Sequence, residues 1–174
     1  MDLPARVRRD VRRRLARATG VPLRVRPRPE DHELWVVYRA AAENRDLWPL
    51  LRSAVMLERD HDESLANAVV MAGLLASRDD DERAWWLAAA RPDWFAHEAA
   101  EEMAITREVA AGRGVDRAEL DSWPDRLQRR VVEVASRHTL TLLAEGARTR
   151  RVRARAAERL RESARSGGTE HPDG

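Results

Sequence analysis

Between Ser64 and Ser77 the chain carries no charged side chain, although 36% of its 174 residues are charged. Asp62 stands just ahead, where a helix N-cap is needed, so the stretch reads as a helix from Asp62 to about Ala76. Leu65, Ala68, Val69, Ala72 and Leu75 fill one face at helical spacing, and Val70, Met71 and Leu74 fill another. A helix apolar on nearly all sides has no face to offer water, so it belongs at the centre of other elements. Leu65, Val69, Ala72 and Leu75 are therefore expected to be nearly fully buried. The rest of the sequence must supply the shell.

That shell reads as helical. Ala, Leu, Arg and Glu dominate and favour helices, while Tyr and Phe occur once each. Hydrophobic residues make up 43%, enough for a core at this length. Leu3, Val7, Val11 and Leu15 give a first helix over about 3–18 a single narrow apolar stripe among arginines. Helices follow over about 31–43 and 47–59, the latter with Asp46 as expected cap and Pro49 in its first turn. Asp79 and Glu82 have capping-box spacing for a helix to about Ala90. Another runs over about 93–111, ended by Gly112, with a short turn at 116–120. The last three are expected over about 124–137, 140–145 and 149–164, with Leu127, Val131, Val134 and Ala135 facing inward in the first. The fold class is all-α, with eight or nine short antiparallel helices forming a bundle or a stack of helical hairpins.

Charge is segregated along the chain. Residues 1–28 hold ten Arg against Asp2 and Asp10, for +8; residues 29–104 hold seven Arg against seventeen acids, for −10; residues 105–174 hold fifteen Arg against eleven acids, for +4. Every basic residue is Arg, which codon bias in a GC-rich genome accounts for as readily as phosphate binding does. Pro22, Pro27 and Pro29 suggest an extended linker over 20–29, carrying Arg24, Arg26 and Arg28. The expected organisation is a basic helix over 1–19 standing apart as an arm, the linker, a helical body over 30–165, and a disordered tail over 166–174.

The residues Val152, Arg153, Ala156 and Leu160, preceded by the short segment 142–146, resemble the second half of a HEAT repeat. The likeness covers about 140–161 and is weaker over 3–18, where Val7, Arg8, Val11 and Leu15 echo it. Gly146 and Thr149 replace the acidic residue common in the turn of that family. The resemblance implies a short HEAT-like α-solenoid that binds protein or nucleic acid, and its catalytic extreme is a HEAT-like DNA glycosylase.

Motifs for chemistry are sparse. With no Cys, disulfides and thiolate metal sites are excluded. There is no nucleophile elbow and no Gly-rich phosphate loop, so no catalytic residue or cofactor is expected. His97 and Glu101, four residues apart on a helix, are a weak candidate metal pair, better read as part of a solvated acidic face. Of six tryptophans, the adjacent Trp85 and Trp86 cannot both face one core, which makes them candidates for an exposed aromatic surface. Arg8, Arg9, Arg12 and Arg13 on the first helix, with Arg148, Arg150, Arg151, Arg153 and Arg155 near the last, are the candidate contacts to nucleic acid or an acidic partner. No apolar run is long enough to span a bilayer, and residues 1–17 lack the apolar stretch of a secretory signal, so a cytoplasmic chain is expected. The expected function is a non-catalytic interaction or scaffold protein whose partner is another protein or its own copy, with nucleic-acid binding as the alternative.

Overall fold

The computed structural model describes residues 3–23 and 31–166. Residues 24–29 of the linker expected over 20–29, and 167–174 of the tail expected over 166–174, lie outside them. The described residues form ten α-helices, one 3-10 turn and no strand. None of these helices is long and apolar enough to cross a membrane. The chain divides into two compact units between Ala100 and Glu101.

The first unit contains α1 (Leu3–Thr19), α2 (Asp31–Ala42), a 3-10 turn (Arg45–Leu47), α3 (Trp48–Glu58), α4 (Glu63–Ala76) and α5 (Asp80–Leu87). It also takes the start of α6 (Phe95–Ala110), within which the division falls. Helix α4 is capped as its sequence anticipates: the Asp62 carboxylate accepts from the Leu65 amide at 2.9 Å. It packs on α2, α3 and α5, so the uncharged helix is central. Its buried face, however, runs through Leu65, Ala66, Val69, Val70, Gly73 and Leu74. Leu75 is 69% exposed and Ala72 only half-buried, contrary to expectation. The reason is at Gly73, where the absence of a side chain lets the Trp86 indole lie directly against the helix. That contact turns the 66–70–73 stripe inward and leaves Leu75 on the rim.

Helix α1 is not an arm. It packs on α2 and α3, with Val11, Leu15 and Ala16 in the same core cluster as Leu51, Val55 and Val69. The Asp46 cap also differs from expectation. Asn44 caps the 3-10 turn by accepting from the Asp46 amide, and α3 begins beyond it without a side-chain cap. Helix α5 is capped by Asp79, which accepts from the Glu82 amide at 2.8 Å. It stops at Leu87, and tight turn bonds from Ala89 and Ala90 replace its expected last turn.

The second unit holds the rest of α6, α7 (Arg117–Ser122), α8 (Asp125–Val131), α9 (Arg137–Gly146) and α10 (Arg150–Ser166). Its core gathers Val109, Leu120, Trp123, Leu127, Val131, Leu140, Leu143, Val152 and Ala156. At the centre lies a polar residue, Gln128, fully buried. Its amide donates to the carbonyls of Leu120 at 3.0 Å and Trp123 at 3.4 Å, and its oxygen accepts from the Arg148 amide at 2.9 Å. One side chain thus satisfies the end of α7 and the connection before α10, which would otherwise leave backbone groups unpaired in the core. Helix α8 ends six residues sooner than expected. Turn bonds from Glu133 to Arg130 and from Val134 to Val131 close it, and Ser136 in extended conformation caps a new helix. Val134 consequently faces solvent, while Ala135 stays buried. Helices α9 and α10 pack closely along the small stripe Val152, Ala156 and Leu160.

Candidate functional site

An open groove of about 760 Å³ runs beside α10 in the second unit. One wall is the α10 face bearing Arg151, Ala154, Arg155, Glu158 and Arg161; the other is the end of α8, with Arg129, Val132 and Glu133. Thr149 sets the start of α10: its hydroxyl accepts from the Val152 amide and donates to the Asp125 carboxylate at 3.0 Å. The beginnings of α8 and α10 are thereby tied together at one end of the groove.

The arginine at the centre of the groove is fully engaged by acids. Arg155 forks onto both oxygens of Glu133 at 2.9 and 2.8 Å, and its remaining nitrogen donates to Glu158 at 2.8 Å. The hydrogen bond from Arg155 holds the Glu133 carboxyl below the usual carboxylate range, and the same bond, with that to Glu158, raises the Arg155 guanidinium. Arg159 donates to the carbonyls of Val132 and Glu133, capping the end of the α8 turn. Arg129 is paired with Asp125. Arg151 and Arg161 are exposed and meet no acid among the described residues. The groove therefore has a central arginine already paired with acids and an unpaired cation at either end of its α10 wall.

The other candidate arginines near α10 divide by use. Arg148 donates to the Asp121 carbonyl at 3.0 Å, and Arg153 to the Ala147 carbonyl at 2.6 Å, so both close helix ends. Arg150 is exposed outside the groove lining. On α1, Arg9 and Arg13 are exposed and Arg8 is half-buried. Arg12 is occupied internally. It forms a bidentate pair with Glu58, which also accepts from the Tyr38 hydroxyl at 2.9 Å. Burial works against the Arg12 charge, but the bonds to Glu58 outweigh it and raise the guanidinium; burial and then Glu58 likewise raise the Tyr38 hydroxyl. Arg12 thus fastens α1 to α3 and is not a free phosphate contact.

Trp85 and Trp86 are not a bare aromatic surface. Trp86 is 0% exposed. Its ring meets those of Trp48 and Trp85 edge-on, at 5.5 and 5.1 Å between centroids. Trp85 is half-buried, stacked on Trp48 at 6.2 Å, and covered by the Arg52 guanidinium 4.5 Å from its centroid. Arg45 lies over Trp48 in the same way, at 5.0 Å. Adjacent tryptophans fit into one unit because the second reaches inward to Gly73 and the first lies flat along α3.

His97 is half-buried and Glu101 exposed, and among the described residues no group of three or more His, Asp or Glu is placed to hold a metal ion. A smaller hollow of about 280 Å³ in the first unit is lined by His32, Trp35 and Leu65 among others. Sequence reasoning identified Arg151 and Arg155 but did not include Arg161 or Arg129 in the groove; the local signal for Arg129 was its i,i+4 spacing from Asp125. Comparison with protein families, with curated proteins and with solved structures finds no match to the chain.

Proposed function

We propose that this chain is a non-catalytic helical interaction module that binds a protein partner through the arginine-lined groove of the second unit. The observation that carries the reading is the pairing pattern in that groove. Most arginines around it are spent on carboxylates or carbonyls of their own unit, whereas Arg151 and Arg161 are left exposed. An arginine without an internal partner on an open concave surface suits an external carboxylate, to which its planar fork binds in bidentate fashion. The resemblance of residues 140–161 to a HEAT repeat supports the same reading, since stacked helical hairpins of that family offer grooves to other chains.

Nucleic acid fits the groove less well. A duplex carries a negative charge about every 1.7 Å along its axis, and Glu133 and Glu158 would face those phosphates from within the same groove. A protein segment places its charges singly and avoids them.

The test is selection from a random peptide display library against the full chain and against its Arg151→Glu/Arg161→Glu variant. Peptides enriched on the wild-type chain and lost on the variant are the expected result. Enrichment that is identical on both chains contradicts a role for the groove.

A further inference from the structure

Resting on that reading, we infer that the groove takes a single acidic α-helix whose two anchoring carboxylates stand three turns apart, one on Arg151 and one on Arg161. Ten residues of α10 separate these cations, which corresponds to about 15 Å of helix rise. Both line the groove and neither meets an acid among the described residues. Between them Arg155 is already held by Glu133 and Glu158. A third carboxylate over the centre would have to displace one of those acids, so the centre selects against charge. The surface there is the exposed Ala154, backed by the buried Val132 and Val152, and it suits a small apolar side chain.

The spacing identifies the kind of segment. In an α-helix, residues i and i+11 lie about 16 Å apart and return to the same face, because eleven residues make about three turns. Residues i and i+7 also share a face but stand only about 10 Å apart, a poorer match to the about 15 Å of helix rise between the two arginines. Helical walls on either side make a helix the natural occupant, in the manner of amphipathic helices that lay one face into a groove. The fitting ligand is therefore a helix with Glu at i and i+11 and with Ala or other small apolar residues on the same face between them. Its uncharged middle is as much a requirement as its charged ends.

The experiment uses the full chain and labelled Ala/Gln-rich helical peptides of equal length and net charge, read by fluorescence anisotropy at low salt. One peptide carries Glu at i and i+11, a second carries Glu at i and i+7, and a third adds a central Glu to the first with a compensating Lys on the opposite face. The first is expected to bind at least tenfold more tightly than the other two. Arg151→Glu and Arg161→Glu should each weaken it at least tenfold, and a peptide with Arg in place of the facing Glu should restore binding to each variant. That rescue separates lost contact from lost folding. Equal affinity for the i+7 and i+11 peptides, or failure of the swap with both variants still helical by circular dichroism, overturns the inference. If the library selection returns peptides that need Arg151 and Arg161 but lack this spacing, the groove reading stands and the three-turn helix does not. A duplex oligonucleotide that competes for the groove more strongly than any of the peptides overturns both.

Discussion

The Arg12 guanidinium donates to each oxygen of the Glu58 carboxylate at 2.7 Å, in a site where Glu58 is only 1% exposed. Forty-six positions separate the two residues, so the bond joins α1 to the end of α3 rather than stabilising either helix alone. A buried ion pair of this kind is costly to break from one side, because the remaining charge is left without a partner. Arg12→Ala is expected to lower unfolding stability by about 3 kcal/mol in urea titration. Arg13→Ala, on the exposed face one residue away, should change it by less than about 0.5 kcal/mol. Equal effects of the two substitutions would mean that α1 is not fastened through this pair.

Gly73 and Gly146 are predicted to respond to alanine in opposite ways. A Cβ at Gly73 would lie 2.2 Å from the Trp86 indole, which is fully buried and has nowhere to move. Overpacking of that sort outweighs the gain in helix propensity, and Gly73→Ala should cost about 2 kcal/mol. The atoms nearest to a Cβ at Gly146 would be those of the Arg117 guanidinium, the tip of a half-exposed flexible side chain. Gly146 does not have positive φ, so Gly146→Ala should leave stability unchanged or raise it by about 0.5 kcal/mol. Thermal unfolding of the two variants checks both signs.

Two neighbouring apolar positions on α4 should also separate. Val69→Asp places an unpaired carboxylate among Val70, Leu51 and Val55 and is expected to cost several kcal/mol, enough to unfold the unit. Leu75→Lys, on the rim, should stay within about 0.5 kcal/mol of the parent. Far-ultraviolet circular dichroism under denaturant distinguishes them.

These contrasts mark what was legible in the sequence. The all-helical class followed from periodicity and composition, and the caps at Asp62 and Asp79 were visible because their bonds span only three residues. Leu75 and Trp86 were misjudged for one shared reason. A nearly featureless apolar helix does not say which face turns inward, and here the answer lies in a contact between Gly73 and a tryptophan on the next helix. Arg12 and Arg155 looked like members of uniform basic stripes. Their partners, Glu58 and Glu133, stand 46 and 22 positions away, beyond the reach of any local pattern. The groove was half legible in the same sense: Arg151 and Arg155 announced themselves, while Arg129 and Glu133 were brought to α10 by tertiary packing.

The acid limb of stability should report on Glu82. Its carboxylate accepts from Arg45 at 2.8 and 3.0 Å and from the Arg78 amide at 2.6 Å, and these bonds, Arg45 foremost, lower its pKa from 4.5 to about 2. A carboxyl with a depressed folded pKa stabilises the native state fully above the unfolded value and loses that contribution as pH falls through the folded one. The contribution of Glu82 is therefore present above pH 4.5 and fades toward pH 2. Glu82→Gln should be less stable than the parent at pH 6, with the difference closing across that window. A difference that does not vary with pH would show that the Arg45 pairing is not what holds the proton off.

The most direct test of the groove is the arginine side-chain Nε–H spectrum of the full chain, titrated with the peptide bearing Glu at i and i+11. Arg151 and Arg161, exposed and unpaired within the described residues, should shift progressively and saturate together. Arg9 and Arg13 on α1 should stay in place, as should Arg12 in its bond to Glu58. Shifts confined to the α1 arginines, with Arg151 and Arg161 unmoved at saturating peptide, would contradict the account.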